Sequence, residues 1–138
     1  MYLVDTNVVS ELRKGGKANP GVRRFLNTVD ADLLYLPVQT IGELRKGVET
    51  IRLRRDLEQA QRLAQWLDLI VTDYADRILD FDQECAQMWG RLVALNAQHP
   101  VDKQIAAIAL LYDFVVVTRN TADFTGTGVR MLNPFSDA

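Results

Sequence analysis

An abrupt change from apolar to polar residues opens the chain and supplies its first candidate for chemistry. The apolar run 2–4 suits a buried strand, and Asp5-Thr6-Asn7 suits the turn and helix start that follow it. Asp5 is therefore expected at the carboxyl end of a strand, the edge where ligands bind in open α/β sheets. A single acid at this place is more simply explained as a helix cap. The case for chemistry therefore depends on three later acids.

The three later acids also lie beside apolar elements. Glu43 falls within an amphipathic helix, next to its apolar stripe, and Gly47 one turn further on is expected to leave room for a ligand. Asp102 opens an almost wholly apolar helix, and Asp123 follows the strongest strand pattern in the chain. Each acid alone has an ordinary explanation as a solvated helix residue or a cap. Together they place four carboxylates beside elements that can converge.

Four carboxylates in one crevice repel one another unless a cation lies among them. Oxygen ligands favour a hard ion, Mg²⁺ or Mn²⁺, and such an ion lowers the pKa of a bound water and neutralises charge on a phosphodiester. This is the equipment of a metal-dependent nuclease. Short polar side chains near the acids are expected to orient them and the bound waters. These supporting residues are Thr6, Asn7, Thr118 and Asn120.

Strands and helices alternate along the chain, which predicts an α/β fold with a mostly parallel central sheet between layers of helices, in one domain over residues 1–138. The expected strands are 2–4, 33–36, 78–81, 114–118 and 129–132; the expected helices are 7–13, 20–27, 38–50, 52–70, one capped by Asp82, and 103–111. The third and fourth helices should pair as a protruding hairpin. In a parallel sheet Asp5 and Asp123 would share one edge.

Helical periodicity also predicts which side chains face the core. Val38 should begin the inward stripe of the third helix, and Leu53 and Leu57 should lie on that of the fourth. In the fifth helix Ala86 and Trp89 should face inward, and Trp89 is expected to be a core residue rather than a platform for a stacked ligand.

Composition narrows the class of protein. The 138 residues are 48% hydrophobic and 25% charged, which is ordinary for one globular domain. One Cys and one His cannot form an internal disulfide or a Cys/His zinc site, so we expect a reducing cytoplasm. The chain shows no leader and no apolar run of membrane-spanning length, so we expect a soluble protein without a membrane partner.

Charge is spread unevenly along the chain. The net charge is −2, but residues 1–62 hold 11 Lys and Arg against 8 Asp and Glu, whereas residues 63–138 hold 5 against 10. The first part could therefore present a local basic surface to a polyanion. Ordinary solvated helix faces explain the same composition equally well.

Four short motifs in order resemble a PIN-domain ribonuclease, specifically the VapC toxins of bacterial toxin–antitoxin pairs. They are Met1-Tyr2-Leu3-Val4-Asp5-Thr6-Asn7; Ile41-Gly42-Glu43-Leu44 with Gly47; Asp102 ahead of Ile105-Ala106-Ala107; and Val117-Thr118-Arg119-Asn120 with Asp123-Phe124. The resemblance covers nearly the whole chain, and the combination is specific although each motif is weak. Lys103-Gln104 after Asp102 departs from the more apolar pair of the family, which we interpret as a change of local surface.

The resemblance implies roles for these residues and partners for the chain. Asp5 and Asp102 would be the main ligands of Mg²⁺ or Mn²⁺, Glu43 and Asp123 would complete the site, and Asn7 with the Thr-Arg-Asn segment would support it. A metal-activated water would cleave RNA. The protein would form a homodimer and would assemble with a cognate antitoxin, whose C-terminal part would lie in the groove held by the helical hairpin.

Two other functions fit parts of the sequence. Asp5 could carry a phosphoryl group as an aspartyl-phosphate, but the haloacid-dehalogenase-like pattern has a second Asp where this chain has Asn7. Alternatively, the acids could only cap helices in a catalytically silent module that binds RNA or a protein through its basic first half. Dependence of cleavage on a divalent ion separates the nuclease from both.

Overall fold

The computed structural model describes residues 1–136, so the last two residues of the predicted domain lie outside the described part. Five strands form one sheet with every neighbouring pair parallel. The strands are β1 (Tyr2–Val4), β2 (Leu34–Pro37), β3 (Ile78–Leu79), β4 (Val115–Val117) and β5 (Arg130–Leu132). The predicted α/β fold with a parallel central sheet is confirmed, although β3 is two residues shorter than expected.

Within residues 1–136, six α-helices cover the sheet. They are α1 (Thr6–Leu12), α2 (Pro20–Thr28), α3 (Val38–Leu53), α4 (Leu57–Asp73), α5 (Gln83–Leu95) and α6 (Pro100–Tyr112). Their starts follow local chemistry: Asn19 caps α2 by accepting from the N–H of Gly21 at 3.0 Å, and Pro20 takes the first helical position, where its missing N–H costs nothing. None of the helices within residues 1–136 is long and apolar enough to cross a membrane.

The strand order β3-β2-β1-β4-β5 puts β1 in the middle of the sheet. Tyr2 is in register with Leu34 of β2 on one side and with Val115 of β4 on the other. The chain goes from β1 to one side first and returns to the other side later, so the end of β1 is a topological switch point, where a crevice opens. Asp5 is the residue directly after that strand.

The core lies in two layers, one on each face of the sheet. Leu3 and Val4 are consecutive and point to opposite faces, as strand geometry requires. Leu3 joins a cluster that contains the buried middle of α6, including Ile105, while Val4 joins one that contains Val8 of α1 and Val22 of α2. All five side chains are almost fully buried. The sheet between these layers holds its carboxyl edge rigidly.

The hairpin of α3 and α4 is present, but its turn differs from the prediction. α3 continues to Leu53, and α4 begins only at Leu57, after Asp56 accepts from the N–H of Gln59. Leu53 and Leu57 are 83% and 60% exposed, so their predicted inward orientation is wrong. The reason is Arg55, whose left-handed backbone (φ 69°) separates the helices and breaks the apolar stripe.

Two other predicted inward positions are also wrong. Val38 and Ala86 are exposed, and in α5 the buried positions are Cys85 and Leu92. Trp89 packs against the core cluster, as predicted, and its indole N–H donates to the carbonyl of Pro100 at 2.9 Å. This bond ties α5 to the start of α6.

α6 begins earlier than the sequence indicated. Its first residue is Pro100, and the residue before it, His99, has a left-handed backbone (φ 52°) and makes no side-chain cap. Asp102 therefore lies within the first helical turn and is not the cap, although it still gains from the positive end of the helix dipole.

Candidate active site

Asp5 is anchored at the centre of the carboxyl edge of the sheet. Its backbone N–H donates to the carbonyl of Val117 at 2.9 Å, and only 4% of the residue is exposed. Oδ1 accepts from the N–H of Thr6 at 2.8 Å and so caps α1. Oδ2 accepts from the hydroxyl of Thr118 at 2.8 Å and from the amide of Asn7 at 3.3 Å. Asp5 is thus a cap and also a buried, fixed carboxylate.

Asn7 and Thr118 join the ends of β1 and β4. The Asn7 amide donates to Oγ1 of Thr118 at 3.3 Å, and its carbonyl oxygen accepts from the N–H of Arg119 at 3.0 Å. Asn120 enters this network through its backbone N–H, which donates to Oγ1 of Thr118 at 3.0 Å. The supporting role of its side chain stays a prediction.

Glu43 reaches the same edge from α3. The hydroxyl of Thr6 donates to Oε1 of Glu43 at 2.8 Å, and Oγ1 of Thr6 is 3.1 Å from the hydroxyl of the fully buried Thr40. Because Thr6 has a single hydroxyl proton, Thr40 must be the donor when Thr6 donates to Glu43. This chain of hydroxyls links α3 to the first residue of α1.

Asp102 and Asp123 meet at the other side of Asp5. Asp123 lies in the 3₁₀ turn Thr121–Phe124 after β4, and Asp102 lies in the first turn of α6. His99 lies with them: its Nε2 is 3.5 Å from Oδ1 of Asp123. One possible ligand atom from each of these three residues lies within 4.8 Å of the other two. The group has the ligand types of a metal site.

Electrostatics link this group to the other two acids. Burial, followed by the neighbouring charges of Asp5, Asp123 and Glu43, raises the pKa of Asp102 to about 6, while His99 acts in the opposite direction. Burial also raises the pKa of Asp5, against the hydrogen bonds that it accepts. Asp5, Glu43 and Asp123, from three separate segments, are therefore close enough to Asp102 to oppose its ionisation.

The structure thus brings together all four acids named from the sequence, with Thr6, Asn7 and Thr118 beside them. The sequence interpretation missed His99, which was set aside because one His cannot build a Cys/His zinc site. A signal was present: His99 precedes Asp102 by three residues, a spacing that brings two side chains to one side of a helix start.

Lys103 is buried and Gln104 is half-buried, so their interpretation as a change of local surface is wrong. Lys103 is 5% exposed, and its ammonium group donates to the carbonyl of Gln98. Gln104 accepts from the side-chain amide of Gln39 in α3 at 3.2 Å. Both residues therefore fix the first turn of α6, which carries Asp102.

A groove of about 180 Å³ opens beside Glu43 between α1, α3 and α4. Thr6 and Glu43 belong to its wall, with Arg13 from the end of α1. The apolar part of the wall comprises Leu44, Val48, Ile51, Leu63, Trp66 and Leu67. The hairpin thus forms one side of a groove that reaches Glu43.

Comparison with known proteins decides the family. The model of the PIN domain matches residues 2–127, which include every residue of the site. The chain belongs to the PIN-domain family. The resemblance inferred from the four motifs is therefore confirmed. In this PIN domain Asp5 caps α1 and also lies at the switch point of the parallel sheet.

Individual relatives match over the full length. The plasmid stability protein StbB of Pseudomonas syringae pv. tomato is 33% identical and covers 98% of this chain and 99% of its own length. The VapC ribonuclease Y4jK of Sinorhizobium fredii is 33% identical, with full coverage of both chains. The crystal structure of FitAcB from Neisseria gonorrhoeae contains a chain that is 31% identical, with a TM-score of 0.85, covering 97% of this chain and 98% of that one.

Proposed function

We propose that this PIN domain is a metal-dependent endoribonuclease toxin of a toxin–antitoxin pair. The observation that carries the proposal is the convergence of Asp5, Glu43, Asp102 and Asp123 at one edge of the sheet, where three of the carboxylates raise the pKa of the fourth. The nuclease activity and the RNA substrate are further supported by the full-length relative that is named a VapC ribonuclease.

The residues at the site fit a divalent ion. A buried carboxylate such as Asp5 and a carboxyl with a pKa near 6, such as Asp102, are both costly to ionise without a nearby cation. Carboxylate oxygens are the ligands that Mg²⁺ and Mn²⁺ prefer. In this proposal Asp5, Asp102 and Asp123 hold the ion, with Glu43 at its edge. When bound, the ion supplies an activated water and neutralises charge on a phosphodiester.

The protein's own residues then have distinct roles. Thr118, Asn7 and the N–H of Thr6 hold Asp5 in one orientation, so the edge of the sheet is organised before substrate arrives. The Thr6 hydroxyl fixes Oε1 of Glu43, which makes Oε2 the oxygen that accepts a proton from an attacking water. Glu43 is exposed, as a residue that meets an RNA backbone must be.

The proposed protein partner is a cognate antitoxin, and the hairpin groove is where it would lie. A relative in Neisseria gonorrhoeae is named toxin FitB, and chains similar to this one occur in the solved structures of FitAcB from that organism and of FitAB bound to a DNA fragment. In this chain the groove is apolar along the hairpin and includes Thr6 and Glu43, so an inserted segment would cover Glu43. A homodimer, and its assembly with the antitoxin, belong to the same proposal.

Cleavage by the purified chain tests the activity. We expect RNA to be cut with added Mg²⁺ or Mn²⁺, and we expect Asp5→Asn to lower the rate by about 100-fold or more at unchanged circular dichroism. Asp113→Asn is a matched control, because Asp113 is an exposed acid that pairs with Arg130 at the other end of α6 and has a left-handed backbone that Asn tolerates. Equal activity in Asp5→Asn would end the proposal, and RNA binding without cleavage would favour a silent binding module.

A further inference from the structure

The imidazole of His99 has no structural task at the start of α6. It makes no cap to the helix, and its Nε2 lies 3.5 Å from Oδ1 of Asp123. Half of the side chain is exposed, so burial does not hold it in place. The ring is nonetheless turned toward two carboxylates of the proposed ion site, Asp102 and Asp123. Neither helix capping nor burial explains this position.

The distances suit coordination of one ion. In an octahedral site with bonds of about 2.1 Å, adjacent ligand atoms are roughly 3.0 Å apart and opposite ones roughly 4.2 Å apart. Nε2 of His99 and Oδ1 of Asp123 are 3.5 Å apart, and the group with Asp102 spans no more than 4.8 Å. Small side-chain rotations would bring these atoms to the separation of two ligands of one ion. The side chains of His99 and Asp123 are both partly exposed, so they have room to rotate.

The ligand types determine which ion is preferred. Mg²⁺ binds oxygen almost exclusively. Mn²⁺ also favours oxygen ligands, but as a transition metal it gains more from an added imidazole nitrogen than Mg²⁺ does, and the later divalent transition metals gain more still. A carboxylate site that also contains one imidazole should therefore discriminate against Mg²⁺ in a way that a site of carboxylates alone does not.

We propose that Nε2 of His99 is a ligand of the ion held by Asp102 and Asp123, and that it gives this protein a preference for Mn²⁺ over Mg²⁺. The proposal rests on the proposed function only in that both need an ion at this edge of the sheet. It adds a ligand that the four-carboxylate arrangement lacks.

Electron spin echo spectroscopy of the full chain loaded with Mn²⁺ tests the ligand directly. A coordinated imidazole gives modulation from a bound ¹⁴N nucleus, and we expect this signal in the unaltered protein. It should disappear in His99→Asn, a variant that keeps the left-handed backbone because Asn tolerates positive φ. The spectrum of the unaltered protein is decisive even if the variant folds poorly.

Calorimetric titration with each metal alone tests the preference. We expect His99→Asn to weaken Mn²⁺ binding by about 10-fold or more and Mg²⁺ binding by less than about 3-fold, since only Mn²⁺ gains from the nitrogen. Asp102→Asn should weaken both ions. The same loss for both ions in His99→Asn would contradict the selectivity.

The outcomes distinguish this inference from the function on which it rests. Bound Mn²⁺ without a nitrogen signal, lost on Asp102→Asn, overturns the role of His99 and leaves the nuclease site intact. Absence of any bound ion in the unaltered protein overturns both. Bound Mn²⁺ with a nitrogen signal that persists in His99→Asn also overturns it, because His99 is the only His in the chain and the nitrogen would then come from elsewhere.

Discussion

The hydroxyl of Thr118 donates to Oδ2 of Asp5 across 2.8 Å, in a position with no exposure to solvent. Oγ1 of Thr118 also accepts from the amide of Asn7 and from the N–H of Asn120. Since both of these groups are donors, the single hydroxyl proton must point to Asp5. Thr118 therefore fixes Oδ2 of Asp5 as a hydrogen-bond acceptor and holds the ends of β1 and β4 together.

We predict that Thr118→Val destabilises the protein by about 1–3 kcal/mol, because it removes the donor to the buried Asp5 and the acceptor shared by Asn7 and Asn120 at nearly unchanged side-chain volume. Asp5 should also lose its fixed orientation, so cleavage should fall by about 10-fold or more. Urea unfolding and the cleavage rate measure the two effects. Thr125→Val, at an exposed threonine just after the 3₁₀ turn, is the control and should change neither. Unchanged stability in Thr118→Val would contradict the network.

We predict that the metal-free protein is more stable near pH 5 than near pH 7. Asp102 titrates near 6 when folded and near its ordinary value of 3.8 when unfolded, so between these values the folded chain holds a proton that the unfolded chain has lost. Stability therefore falls as the pH rises through this window, and the raised pKa of Asp5 acts in the same direction. After allowance for solvent screening we expect a difference on the order of 1 kcal/mol.

Thermal unfolding in EDTA at the two pH values measures this effect. Asp102→Asn should remove most of the difference and should raise stability at pH 7, because it deletes a charge that three other acids oppose. Added Mn²⁺ should reverse the trend, since an ion binds the ionised carboxylates. A metal-free protein that is more stable at pH 7 would show that the acids do not repel one another.

We predict that the hydroxyl of Thr6, rather than its shape, matters for activity. Thr6→Val removes the donor to Glu43 and should lower the cleavage rate by about 10-fold, mainly in kcat, because Glu43 is then free to turn away. Thr6→Ser keeps the hydroxyl and should retain most of the activity. If the two variants lose activity equally, the packing of Thr6 and not its hydrogen bond is responsible.

Local patterns were sufficient for the parts of the site that the chain encodes in short stretches. The change from Val4 to Asp5 predicts a strand end followed by a helix start, and both exist because burial and capping act within a few residues. The apolar run around Ile105 predicts a buried helix for the same reason. The four acids could therefore be named from the sequence, and so could the sheet edge that Asp5 and Asp123 share.

What the sequence did not predict depends on contacts between distant segments or on unusual backbone conformations. Arg55 follows helix formers and carries no sequence signal for its left-handed conformation, so the two helices of the hairpin were divided in the wrong place. His99 also has a left-handed backbone, and its contact with Asp123 depends on where the 3₁₀ turn after β4 lies. Neither the backbone conformation of Arg55 nor the contact of His99 with Asp123 is determined by the neighbouring residues in the sequence.

We predict opposite effects from adding one methyl group at two glycines. At Gly21 a Cβ atom would lie 2.2 Å from the carbonyl oxygen of Pro134 and 2.7 Å from the N–H of Ser136, and these backbone atoms cannot move without displacing the segment that crosses α2. Gly21→Ala should therefore cost about 1–3 kcal/mol. At Gly47, inside α3, a Cβ would meet nothing within 4 Å, so Gly47→Ala should stabilise the helix by up to about 1 kcal/mol.

Urea unfolding of the two alanine variants compares them under the same conditions. Gly47 also lines the groove beside Glu43, so cleavage by Gly47→Ala shows whether RNA needs that space. A more stable protein with lower activity would mean that substrate approaches the helix here, as the sequence suggested.

The segment that crosses α2 is tied to the site, because Phe135 lies under the guanidinium of Arg119 at 5.0 Å and the N–H of Arg119 donates to Asn7. Gly21→Ala should therefore lower cleavage even at temperatures where the variant is folded, and full activity there would show that this contact does not position Asn7.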